Sequence, residues 1–79
     1  MTLNQLKSGT AGKIVFVGGQ GALRRRLMDM GLTPGTKVTL RKVAPLGDPL
    51  ELHLRGYELT LRKEDAQNIE VTQCAEEAV

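Results

Sequence analysis

Aromatic rings are scarce in this 79-residue chain: Phe16 and Tyr57 are the whole complement, and tryptophan is absent. Proteins that read single-stranded nucleic acid stack successive bases on several rings, a platform this composition cannot build. Cysteine occurs once, at Cys74, which excludes an internal disulfide and a multi-cysteine metal site within one chain and fits a reducing compartment. Histidine also occurs once, at His53, so little material exists for a nucleophile-base pair, and an enzyme is not expected. No stretch approaches the ~20 apolar residues that cross a bilayer, and Met1 to Lys7 holds no apolar run of the secretory-leader kind. Neither sign of charge dominates, with 11 basic against 9 acidic residues and a net charge of +2, far from a polybasic nucleic-acid protein. These absences leave one small cytoplasmic domain, expected over residues 1–73, with a disordered tail at 74–79.

What is present is strand pattern interrupted by one helical stretch. Leu23, Leu27 and Met30 stand at i, i+4 and i+7, so at about 100° per residue they form a narrow apolar stripe. Gly31 supplies a left-handed residue at which a helix ends cheaply. Leu32 falls where it folds back onto Leu27, and Pro34 forbids resumption. The opposite face carries Arg24, Arg25 and Arg26 in the first turns, where the helix dipole disfavours positive charge. Arg25 and Asp29 are spaced for a pair, in the less favourable order, worth only about 0.3 kcal/mol when exposed. Two readings stay open: the arginines are soluble helix formers, or they dock a partner. Met28, about 140° round from Leu23, borders their face or lies beneath a loop.

The rest of the chain alternates. Thr2-Leu3-Asn4-Gln5 fits a capping box, with Leu3 and Leu6 sharing a face laid on the core. Lys13 to Val17 is β-branched and aromatic, a strand. Thr36 to Arg41 alternates with Val38 and Leu40 inward, and Val43 falls out of phase, which predicts a bulge near Arg41-Lys42. Ala44-Pro45-Leu46-Gly47-Asp48-Pro49 is a proline-fixed loop with Leu46 at its tip. Leu50, Leu52 and Leu54 face inward, Gly56 marks a tight hairpin, and Tyr57, Leu59 and Leu61 return on the inner face. One helical turn over 63–68 and a strand over 69–72 complete the chain. Short strands with one inward face each must curl around it. The expected fold is all-β, an SH3-like small barrel of about five strands with a short α-helix inserted between the first and second strands.

Gly18-Gly19-Gln20-Gly21 invites a phosphate-loop reading, but no Gly-Lys-Ser/Thr ending and no βαβ alternation accompany it, so it reads as a connection. First-row metal ligands are limited to His53, Glu51, Glu58 and Cys74. His53 and Glu51 lie two apart on an outer strand face with Glu58 across the hairpin, a weak site for Fe(II) or Zn(II). Ordinary solvated side chains are the commoner outcome of such a pattern.

Leu23 to Thr36, with its Met-Gly-Leu-Thr-Pro-Gly ending, Asp48-Pro49-Leu50-Glu51-Leu52 and Leu54 to Arg62 together closely resemble the FeoA family, ferrous iron transport protein A. The opening Leu3-Asn4-Gln5-Leu6-Lys7 with Gly9 is similar too, so the likeness covers residues 2 to about 72. The resemblance implies a cytoplasmic SH3-like domain that works with FeoB, a membrane protein with a cytosolic G domain that takes up ferrous iron in bacteria. It implies peripheral residence at the inner membrane through that partner, while composition and charge leave no nucleic-acid role expected. A related domain is appended to some iron-dependent repressors, but no helix-turn-helix accompanies this chain. The family has no agreed metal-binding or catalytic residues, so no ligand set carries over. The function expected is an accessory protein that binds and regulates FeoB through Arg24, Arg25, Met28 and Leu46; the alternative is an iron- or zinc-sensing module. Self-association stays open.

Overall fold

A computed structural model of the protein describes residues 1–74. After a 3-10 turn at Leu3–Gln5 the chain forms β1 (Ala11–Val17), α1 (Gly21–Asp29), β2 (Lys37–Val43), β3 (Leu50–Leu54), β4 (Tyr57–Leu61), α2 (Lys63–Ala66) and β5 (Ile69–Gln73). The strands make one antiparallel sheet in the order β4-β3-β2-β1-β5. Each strand turns aliphatic residues to one side: Ile14 and Val17, Val38 and Leu40, Leu50, Leu52 and Leu54, Leu61, then Ile69 and Val71, all buried. The sheet curls around them, and Leu3, Leu6, Leu27, Leu32 and Ala66 close the ends. No ring belongs to this core.

The expected bulge in β2 is present, the register with β3 shifting between Leu40 and Lys42. A second bulge, not expected from the alternation, lies in β1 between Ile14 and Phe16. β1 also starts earlier than Lys13, at Ala11, because Gly12 lets β5 come close: a Cβ there would stand 3.1 Å from the Val71 side chain. At the far end Gln73 pairs with Gly12 and the Cys74 amide donates to Ala11 O at 2.9 Å, so chain expected to fray is held as far as residue 74. The tail at 75–79 lies outside the described residues.

Helix α1 ends as the Gly31-Leu32 pair demands. Gly31 takes φ 97°, its amide donates to Met28 O at 3.0 Å, and the Leu32 amide reaches back to Leu27 O at 3.1 Å. These two bonds are a Schellman termination, and Leu32 is buried beside Leu27. The helix starts at Gly21, earlier than its apolar stripe, so Arg24 to Arg26 are not first-turn residues and Arg26 sits in the last turn, where its charge suits the dipole. Of the stripe, Leu27 is buried, while Leu23 and Met30 are half-buried against the core.

Tyr57 keeps the face of Leu59 and Leu61, opposite Leu54, but stands at the rim of the core rather than inside it. It lies beside the hairpin turn, is 41% exposed, and donates its hydroxyl to Met30 O at the end of α1. The turn itself, Arg55 at φ 47° and Gly56 at φ 83°, has the two left-handed residues of a type I′ hairpin. Arg55 then donates to Thr33 Oγ1 at 3.1 Å and Thr36 Oγ1 at 2.8 Å. Thr36, 5% exposed, is thereby satisfied in the core wall.

Candidate functional site

Two clamps aim the arginine face of α1. At its first half the Arg24 Nε donates to Val17 O, 3.0 Å away, the last residue of β1. At its end Tyr57 holds the Met30 carbonyl. Arg26 turns aside to pair with Asp65 of α2 at 3.1 Å. Arg25 is exposed and, among the described residues, makes no ion pair; the spacing with Asp29 goes unused, as an exposed pair in the unfavourable order gains too little to order both side chains. Met28 is half-buried and packs on the core, so only its outer edge joins this face.

Leu46 is 96% exposed at the tip of the proline loop between β2 and β3. That loop is not isolated from α1. Asp48 Oδ1 accepts the Lys63 amide at 2.8 Å, capping α2, while Arg26 holds Asp65 in the same α2 turn. The single turn of α2 thus bridges the loop base and the helix.

His53 and Glu58 meet across β3 and β4, Nδ1 to Oε2 at 3.0 Å, with Arg41 3.6 Å from the same oxygen. Glu51 pairs instead with Thr60. Among the described residues no three His, Cys, Asp or Glu side chains converge as a metal site would require. Cys74 stands beside Ala11, after the strand at the opposite end of the sheet order from the β4 that carries Glu58.

Residues not singled out in advance complete the surface. Val15 and Phe16 are 49% and 57% exposed, because the β1 bulge turns both outward. The Phe16 ring lies against Gly18, where a Cβ would approach its Cε2 to 3.2 Å. The signal was the unbroken run Ile14-Val15-Phe16-Val17: two inward residues three apart in a strand require one extra between them. Both rings of the chain are therefore at the surface, where an exposed aromatic is more useful to a contact than to stability.

A curled antiparallel sheet of this order, carrying its helix in the first connection and a single turn before the last strand, defines an SH3-like domain. The arrangement offers side chains for contact and no assembled chemistry among the described residues. The FeoA domain profile matches residues 1–73, and the chain belongs to the FeoA family. It is 41% identical over 71 residues to an Fe(2+) transport protein A/Fe(2+) transporter FeoB fusion protein of Porphyromonas gingivalis. That match covers 90% of this chain but only 8% of the length of the curated relative. The solution structure of the FeoA protein from Chlorobium tepidum superposes with a TM-score of 0.88 at 42% identity, over 99% of this chain and 75% of that one. FeoA of Stenotrophomonas maltophilia, crystallised with zinc and described as a prokaryotic SH3 domain protein, gives 0.79 at 28% identity over 90% and 88%. No helix of the described residues is long and apolar enough to cross a membrane.

Proposed function

We propose that this domain is an accessory of bacterial ferrous iron uptake that binds the cytosolic part of FeoB and regulates it by protein-protein contact. The observation that carries the reading is the P. gingivalis fusion, in which a relative of nearly this whole chain is covalently joined to FeoB. A joined pair shares one small volume, so a contact too weak to persist between separate chains is occupied when they are linked. The contact face is α1 with the proline loop: Arg24 and Arg25 as cationic rim, Met28 as a small apolar centre, Leu46 as an exposed anchor. A polar rim around so little apolar surface suits transient, regulated binding. The domain then works at the cytoplasmic side of the inner membrane, held there by its partner.

Calorimetry with the soluble cytosolic part of FeoB tests this, with and without guanine nucleotide. Arg25→Glu reverses a charge that supports nothing in the fold, and it is expected to weaken binding at least about tenfold. Arg24→Glu with Arg25→Glu weakens it further, with the far-ultraviolet spectrum checked because Arg24 also braces Val17. Unchanged affinity in both variants removes the helix face from the reading.

The zinc held by the S. maltophilia relative favours a second reading, a metal-responsive module in which His53 and Glu58 begin a site completed by another ligand. Equilibrium dialysis against Fe(II) and Zn(II), comparing the wild type with His53→Ala, separates the two. Equal retention by both proteins excludes His53 as a ligand.

A further inference from the structure

The two edges of the sheet are treated differently by the chain. The outer edge of β5 is closed by the N-terminus: the Val71 amide donates to Met1 O at 2.8 Å and Thr2 pairs with Glu70. Among the described residues the outer edge of β4 has no such cover. Within the hairpin, Tyr57, Leu59 and Leu61 face Leu54, Leu52 and Leu50. The pair flanking a two-residue turn is hydrogen-bonded, so in strict alternation Tyr57, Leu59 and Leu61 spend their backbone groups on β3, and those of Glu58 and Thr60 point outward. Among the described residues no backbone hydrogen bond outside the ladders reaches Glu58 or Thr60.

Natural edges are usually blunted by lysine, proline or a bulge. Tyr57-Glu58-Leu59-Thr60-Leu61 has none of these, and its register with β3 is unbroken. Its single charge, Glu58, is drawn back over its own sheet by His53 at 3.0 Å and Arg41 at 3.6 Å. An approaching strand therefore meets free donors and acceptors, with the one carboxylate held over the outer face of the sheet, where it is still open to a cation of that strand.

We propose that the β4 edge pairs antiparallel with β4 of a second copy of this chain, forming a two-fold dimer that continues the sheet. The occupant follows from self-complementarity. With the two-fold axis at Leu59, Glu58 stands opposite Thr60 of the second copy and Thr60 opposite its Glu58, so every outward group of one edge meets its counterpart. Leu59, half-buried in one copy, meets Leu59 of the other, and Tyr57 meets Leu61. Arg62, exposed and extended at φ −71° and ψ 146°, shares the face of Glu58 and Thr60 and falls diagonal to Glu58 of the second copy, within reach for a long side chain. No two like charges stand opposite each other, and the one diagonal charged pair is unlike in sign. The pairing leaves Arg24 and Arg25 free, because Tyr57 holds the end of α1 and Arg24 lies toward its start. One dimer then displays two cationic helix faces, a bivalent ligand for a partner that is itself paired.

A single short edge buries little area, so the dimer is expected to populate between about 10 µM and about 1 mM, a weak-contact range. Sedimentation of the full chain across that range should show the mean mass rising from one chain towards two. The amide resonances of Glu58 and Thr60 should shift with concentration, while those of Arg24 and Arg25 stay still. Thr60→Pro removes an outward donor without touching the β3 ladder and is expected to abolish the dimer. Should that variant lose its fold, a charge exchange carries the test. Glu58→Arg and Arg62→Glu each weaken self-association, and mixing the two single variants restores it as a heterodimer. A constant mass up to about 1 mM overturns the proposal, as do concentration-dependent shifts confined to α1 or a mixture that associates no better than its parts. Shifts of Glu58 and Thr60 seen only on adding the cytosolic part of FeoB would assign the edge to that partner and overturn the second copy as occupant.

Discussion

Gly31→Ala measures how the helix end is built. Gly31 holds φ 97°, a region closed to residues with a Cβ except at a cost of about 1–2 kcal/mol. A Cβ there would also stand 2.9 Å from the Tyr57 hydroxyl, which must shift to make room, and the weakening of its bond to Met30 O is expected to add a loss of up to ~1 kcal/mol. Together these predict a loss of about 2–3 kcal/mol, or roughly 10–20 °C in Tm for a domain of this size. In a Tyr57→Phe background the hydroxyl is already gone, so the same substitution should cost only about 1–2 kcal/mol, the backbone part. Urea unfolding of the four proteins, read as midpoint shifts at constant slope, gives the cycle. An equal cost in both backgrounds refutes the role assigned to Tyr57, and a cost under about 0.5 kcal/mol refutes the left-handed helix end.

Other expectations are more local. Leu27→Ala empties a fully buried position under α1 and should cost about 3 kcal/mol in urea unfolding. Asp48→Ala leaves the Lys63 amide uncapped; it should cost about 1 kcal/mol and speed hydrogen exchange over Lys63 to Ala66. Arg26→Ala with Asp65→Ala should show a coupling below about 1 kcal/mol, because Arg26 is 60% exposed at that ion pair.

Particular residues show what was legible in the chain and what was not. The helix end at Gly31-Leu32 and the bulge after Leu40 could be read because each is a local conflict: a residue that breaks a period, with the break written within four positions. The β1 bulge has the same origin, but Val15 and Phe16 are apolar like their neighbours, so no change of polarity marked the slip. The start of β1 at Ala11 rather than Lys13 was not written locally, because Gly12 admits Val71, a demand set by a segment near the other end of the chain. The arginines were recognised as odd in a helix, and the cause for two of them is tertiary. Arg24 braces Val17 and Arg26 reaches Asp65, leaving Arg25 as the member the fold does not use. Tyr57 was assigned inward by alternation and keeps that face, but beside the turn it stands at the exposed rim, where its hydroxyl reaches Met30 O at the end of α1, and no alternation marks where a face runs out of core.

The bracing of α1 at Val17 and at Met30 bears on any attempt to transplant its arginines. Grafted alone onto another barrel, the nine-residue segment would keep its sequence and lose its bearing, since a helix that short has little stability outside its setting. A working transplant must bring Tyr57 and the preceding hairpin turn with it. The portable unit is two distant stretches of chain, and swapping relatives' helices without their matching hairpins should yield folded proteins that point their cations the wrong way.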